Sequence, residues 1–202
     1  MDTTPESLLE FWFPAFPYSA DNLGDAGKLW FFPSPDQNRQ ITARFTNAVG
    51  KALRGELDHW ERSARGKLAL ILLLDQFTRC VYRGTPQAFS GDGKALELAL
   101  TGIDPAEHCE LDLLHRFFFF MPCQHSEDLG VQDRSVALFI GLARQGEGPE
   151  KKVLQNGAEY AQLHRDIVAR FGRFPHRNKI LGRPNTPEED DYLADDAPTF
   201  GQ

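Results

Sequence analysis

Cysteine is scarce in this chain: Cys80, Cys109 and Cys123 are the only three in 202 residues, and no two form a Cys-x-x-Cys pair. An odd number without that spacing supports neither a disulfide framework nor a zinc knuckle, so a reducing cytoplasm is the expected location. Long apolar runs are missing as well. The longest extends from Leu68 to Leu74, far short of the roughly 18 residues a membrane span needs, and no membrane association is expected. The first residues carry Asp2, Glu6 and Glu10 but no basic leader, which argues against a secretory signal. Positive charge is not in excess either. The formal charge is -7, and six of the acids (Glu188, Glu189, Asp190, Asp191, Asp195, Asp196) lie beyond Pro187, where no Lys or Arg follows. Without them 23 acids face 22 bases, so the body is near neutral and nucleic acid is not an expected partner.

Familiar catalytic and cofactor signatures are also absent. There is no Gly-x-Ser-x-Gly, His-Glu-x-x-His or Gly-x-Gly-x-x-Gly. Gly91-Asp92-Gly93-Lys94-Ala95 echoes the end of a phosphate-binding loop, but position 88 is Ala and Ala95 replaces the hydroxyl that would hold Mg²⁺. His164-Arg165-Asp166 echoes a kinase catalytic loop, yet Phe171 stands where Asn is required. His125, His164 and His176 have no ligand spacing that supports a metal, so neither metal nor cofactor is expected.

What the chain does have is helix punctuation. Ser34-Pro35-Asp36-Gln37, Asp104-Pro105-Ala106-Glu107 and Thr186-Pro187-Glu188-Glu189 each read as a capping box with Pro at the first helical position, and Thr4-Pro5 is a partial version. Ile41, Phe45, Ala48, Val49, Ala52 and Leu53 form one apolar face of a helix from about Pro35 to Arg54. Ser63 can cap the next helix, to about Arg79, whose centre is apolar all round and therefore buried. Further helices are expected from about Lys94 to Leu100, through Leu111 to Met121 with Pro122 as terminator, and from a Ser126 cap towards Gly146. The longest starts near Pro149 and ends at Gly172 as a left-handed cap. The stretch from Pro14 to Pro33 reads as a loop with one short docked element, and residues 188–202 as an acidic, partly mobile tail. With short loops and no persuasive strand alternation, the expectation is one all-α domain over residues 1–202.

Polar groups concentrate in a few places. His164 to Asn178 holds two His, four Arg, one Asp and one Asn in fifteen residues, interleaved with apolar side chains. Arg and Asp do not enter an interior without partners, so this density implies a binding site or a buried network. His164 lies on the apolar stripe of its helix and reads as a general base or as a hydrogen-bonded core histidine. Asp166 and Arg170 are spaced for a helical ion pair. Arg173 and Arg177 are spaced to grip a carboxylate or phosphate, or equally to pair with Asp75, Asp133 or Asp166. Asp75 and Gln76 follow the apolar run directly, which places them where a buried helix meets a cleft or a partner. His125, Ser126, Glu127 and Asp128 read as an anion contact at a helix start, or simply as a well-capped helix.

These residues carry a resemblance. Leu74-Asp75-Gln76-Phe77-x-Arg79, Tyr82-Arg83-Gly84-Thr85-Pro86-x-Ala88-Phe89 and His125-Ser126-Glu127-Asp128-Leu129-x-x-Gln132-Asp133-Arg134-Ser135 resemble a bacterial family called domain of unknown function 924. His164-Arg165-Asp166-Ile167, Gly172-Arg173-Phe174-Pro175-His176-Arg177-Asn178, Leu181-Gly182-Arg183 and Thr186-Pro187-Glu188-Glu189 extend the match over essentially the whole chain. Two places depart from the family pattern: Thr78-Arg79-Cys80 replaces Pro-Arg-Asn, and Pro122-Cys123-Gln124 replaces Pro-Phe-Met. Cys80 in place of an amide removes a hydrogen-bonding group, which argues against a role for that position. The resemblance implies a tetratricopeptide-like αα superhelix, here of about eight or nine antiparallel helices, and implies no activity, substrate or cofactor.

The functional expectation is a binding module for a small anionic ligand or an acidic peptide. Its cleft is lined by Gln76, Arg79, His125, Arg173, His176, Arg177 and Asn178. An acid–base, hydrolase-like enzyme drawing on His125, His164, Asp75, Glu127 and Asp133 is the alternative. A structural polar network, with protein partners bound elsewhere, is the third.

Overall fold

The computed structural model describes residues 3–14, 16–104, 106–195 and 197–198, and for Ala20 the backbone alone. Among the described residues there is no strand. The opening helices are α1 (Pro5–Trp12), α2 (Ala20–Phe31) and α3 (Pro35–Leu53). The capping boxes explain where α1 and α3 start: Thr4 and Ser34 each accept from the backbone N–H three residues on, while Ser7 and Gln37 reach back. The long α2 replaces the expected loop. It buries Leu23, Ala26 and Trp30 at helical spacing, a pattern that Gly24 and Gly27 obscure in the sequence. Trp30 Nε1 donates to the Trp12 carbonyl over 2.6 Å and pins α2 to α1.

The central rod runs through α4 (Ala64–Ile71), a π turn (Leu72–Phe77) and α5 (Thr78–Val81). Ser63 caps it as expected. Leu68 to Leu74 are all completely buried, each Leu or Ile contributing roughly 1.5–3 kcal/mol by leaving water. The rod packs on α1, α3, α6 (Asp92–Ile103) and α7 (Leu113–Gln124). Widening to a π turn at Leu72–Phe77 is not visible in sequence. It carries Asp75 and Gln76, and its carbonyls are met from two sides. Thr78 Oγ1 donates to the Leu74 carbonyl over 2.7 Å. Gly91 packs so closely on the same carbonyl that a Cβ there would lie 2.3 Å from its oxygen. Gly91 is therefore a packing glycine, and it lets α6 begin against the π turn.

The second half stacks α7, α8 (Leu129–Gln145) and α9 (Lys151–Phe171) on one another, with α8 and α9 most extensively paired. Phe117 to Phe120 of α7 are all buried. Pro122 does not end α7; it sits in the last turn, and the helix continues to Gln124. Nor does Ser126 cap α8. Asp128 does, accepting from the Val131 N–H over 2.9 Å, while Ser126 Oγ accepts from the Asp128 N–H. The capping box read at Asp104 also fails: Pro105 lies outside the described residues, α6 ends at Ile103, and Ala106 is left-handed (φ 61°) before a short 3-10 turn at Glu107–Glu110. The cap at Gly172 is as expected (φ 69°).

After Gly172 come a 3-10 turn (Pro175–Arg177), α10 (Asn178–Leu181) and α11 (Pro187–Ala194). Here the capping box expected at Thr186 starts α11 within the acidic tail. Thr186 and Glu189 close a capping box, and Glu189 is buried where Arg173 donates to both of its oxygens over 2.7 Å. Residues 187–194 thus form a docked helix. No described helix is long and apolar enough to cross a membrane.

Candidate functional site

The end of α2, the π turn, α5, a 3-10 turn at Pro86–Phe89, the end of α7, α9 and the 3-10 turn at Pro175–Arg177 meet around one cavity of about 130 Å³. Gln76, Arg79, His125, His164, His176 and Arg177 line it, together with Trp30, Phe31, Phe89 and Met121.

Asp75 lies behind this wall, completely buried. Three groups converge on its carboxylate. His125 Nδ1–H donates to Oδ1 over 2.7 Å, Gln76 Nε2 donates to Oδ2 over 2.5 Å, and Arg79 Nη1 stands 3.3 Å from Oδ1. Burial alone would favour the neutral acid, but Arg79, His125 and these hydrogen bonds outweigh it and hold Asp75 well below the usual carboxylate range. Asp75 is accordingly an anion at neutral pH. It fixes the His125 ring with Nδ1 protonated, and Nε2 makes no hydrogen bond within the protein among the described residues.

Arg79 is fully engaged. It donates to the Asp75 carbonyl and spans the Asp92 carboxylate at 3.1 and 3.2 Å. Asp92 was visible in sequence only within the rejected phosphate-loop echo. Its burial raises its pKa against the pull of Arg79, with Asp75 adding to the rise.

Arg177 is the opposite case. The residue is 7% exposed, and its guanidinium stacks on Phe89 and Phe174, at 4.9 and 4.5 Å from the ring centroids. It donates no hydrogen bond among the described residues. Nε is sealed from solvent without a partner, and the nearest carboxylate oxygen, Asp92 Oδ2, is 3.6 Å from Nη1. Burial, with Arg79 adding repulsion, lowers its pKa to about 10, so it stays charged at neutral pH.

Two further histidines complete the wall. His164 Nδ1 lies 2.8 Å from the Tyr160 carbonyl, an obligate acceptor, so that nitrogen carries the proton. The Gln124 amide is 3.1 Å from the same nitrogen. Burial, then repulsion by His125, pushes the His164 pKa down to about 3; burial and Arg177 do the same for His176, also to about 3. Both are neutral at physiological pH.

Other sequence candidates lie elsewhere. Glu127 receives Arg183 at 2.7 and 3.0 Å and the Phe174 N–H at 2.9 Å. Arg173 is consumed by Glu189; Asn178 donates to Asn185 and Glu189 and accepts from Arg183. Asp133 pairs with Arg165 on an outer face, and Asp166 with Arg165 and Gln162 rather than with Arg170, which reaches Glu188. Glu127, with Arg183 and the Phe174 N–H, ties the C-terminal segment to the body, Arg170 with Glu188 does so as well, and His176 and Arg177 are carried on that segment. Sequence reasoning missed Trp30, Phe31, Phe89 and Met121 as walls. Their types signal core, and only the fold turns them towards the polar groups.

A model of a bacterial family of unknown function, DUF924, matches residues 8–197. The chain belongs to that family. A protein of unknown function from Agrobacterium tumefaciens is 37% identical and superposes with a TM-score of 0.78, over 94% of this chain and 96% of the other. No curated protein matches the chain. Several of the family-like motifs of the sequence end at this cavity: Gln76 and Arg79 from the first, Phe89 from the second, His125 from the third, and His164, His176 and Arg177 from the C-terminal ones.

Proposed function

We propose that this protein binds a small anionic ligand in the cavity bounded by Arg79, His125, His164, His176 and Arg177. The observation that carries the reading is the Arg177 guanidinium, buried and charged but without a hydrogen bond to the protein. A buried cation left without hydrogen bonds is destabilising by several kcal/mol, and an anion that supplies paired acceptors relieves that cost. Arg79 and Asp75 do not compete for the ligand, because each is already satisfied within the protein. A cavity of about 130 Å³ suits a small molecule better than a length of peptide. The reducing cytoplasm expected from the cysteine usage fits a metabolite ligand.

Thermal-shift titration with small carboxylates and phosphates tests the reading. A ligand at about 100 times its Kd stabilises the folded state by ~2.7 kcal/mol. The wild type should show a melting temperature that climbs with ligand concentration, and Arg177→Met should not. Absence of any shift with every anion at millimolar concentration would remove the reading.

The His125–Asp75 pair supports a second reading, acid–base catalysis on the bound molecule. A buried carboxylate at 2.7 Å orients the imidazole and leaves Nε2 on the cavity wall, an arrangement that serves a general base. Under this reading His125→Asn abolishes turnover of a panel of small esters and amides while ligand binding persists. Turnover that survives in His125→Asn excludes it.

A further inference from the structure

Resting on the anion-binding reading, we infer that the ligand is a compact monocarboxylate with a flat apolar body, of the size and shape of benzoate, rather than a phosphate ester. Charge decides the head group. The cations at the cavity are Arg79 and Arg177, and the anions are Asp75 behind the wall and Asp92 beside both arginines. Arg79 is spent on Asp75 and Asp92, which leaves one guanidinium for the ligand. A dianionic phosphate would bring two charges to that single cation, within reach of Asp92. The C-terminal end of α7 also meets the cavity at His125, and its carbonyls carry partial negative charge that opposes a second anionic charge. A carboxylate brings one charge and two coplanar oxygens, which match the fork of a guanidinium.

Shape and walls decide the body. The cavity is about 130 Å³ and partly open, somewhat smaller than a closed cavity of about 150 Å³ that accepts benzene, so it takes a single ring and no larger body. Phe89 is already covered by Arg79 and Arg177, at 5.6 and 4.9 Å from its centroid. Trp30, Phe31 and Met121 remain to face the ligand, two aromatic rings and a thioether that favour a flat, polarisable group. Trp30 is held in place by its bond to the Trp12 carbonyl, so this wall is preformed.

Isothermal titration of the wild-type protein at pH 8 with benzoate, benzyl alcohol, acetate, phenyl phosphate and inorganic phosphate tests the inference without any variant. Benzoate should bind at least about ten-fold tighter than each of the others, a factor equal to one good charge-assisted contact or the burial of a ring. Phenyl phosphate or inorganic phosphate binding as tightly as benzoate overturns the monocarboxylate and leaves anion binding standing. Acetate equal to benzoate overturns the apolar body. If none of the anions binds, the underlying reading falls with it. Arg177→Lys keeps the charge and removes the fork; it should cut the preference for benzoate over benzyl alcohol, and an unchanged preference contradicts the assigned head-group contact.

Discussion

Asp75 and Arg177 are the two residues on which the site depends, for opposite reasons. Asp75 is saturated by Arg79, His125 and Gln76. Asp75→Asn leaves the His125 ring without its anion and Arg79 with Asp92 alone, and it should destabilise the fold by about 3–5 kcal/mol, the usual cost of breaking a buried pair. Chemical denaturation measures this directly; a loss below about 1 kcal/mol would mean that Asp92, not Asp75, balances Arg79. Arg177 is unsaturated, so removing it should cost the fold little. Arg177→Met, which keeps an apolar stem between Phe89 and Phe174, is expected to hold or raise the melting temperature while abolishing anion binding. A stabilising loss-of-binding variant is the mark of a residue kept for a ligand. Most of the lining residues were legible in sequence, because Arg, His and Asp beside apolar runs need an explanation. Which were free and which were spent was not legible. Arg173 and Arg177 look equivalent on paper, and only the position of Glu189 separates them.

At the scale of elements, the π turn and the C-terminal clamp decide where those side chains point. Gly91 abuts the Leu74 carbonyl of the π turn, and Asp92 follows it directly. Gly91→Ala should push α6 away and displace Asp92 from Arg79, at about 1–3 kcal/mol of stability, the usual cost of overpacking. An unchanged melting temperature would show that α6 does not need this contact. At the other end, α11 is held through Glu189. Glu189→Gln should raise amide exchange in α11 by about ten-fold, the equivalent of a lost charge-assisted hydrogen bond, and weaken anion binding because Arg177 loses its clamp. Protection of α11 that survives the substitution would show that apolar packing alone, Tyr192 on Phe171, holds it. Elements with a cap and one apolar stripe, such as α3 and α9, could be read from sequence almost to the residue. The π turn could not, since a run that is apolar on all sides carries no phase. The capping box at Thr186 marks the start of α11 in the sequence, but its docking is not legible there, because the partners of its acids, Arg170 and Arg173, arrive through space.

For the whole molecule, the buried histidines set the response to acid. His115, His164 and His176 have pKa values lowered by burial to about 4, 3 and 3. Each is neutral in the folded state and takes up a proton on unfolding below its ordinary value of 6.5. The unfolded chain therefore binds more protons, and stability should fall as pH drops below about 6.5, by at most ~1.4 kcal/mol per pH unit for each histidine. Below about 4.5 a second loss begins. Glu189, held at about 2 by Arg173, and Asp75 and Glu127, also lowered, stabilise the fold only while ionised. Urea denaturation between pH 7.5 and 4 should show a monotonic decline that His164→Gln makes shallower. A flat profile over that range would contradict burial of these rings.

The central claim is that one buried guanidinium waits for a carboxylate, and the Arg177 Nε–H resonance reports on it without intermediaries. Titrating ¹⁵N-labelled protein with benzoate should move that signal downfield in a saturable manner while the Arg79 signal stays nearly fixed. An Arg177 signal that does not move through the millimolar range would contradict the account.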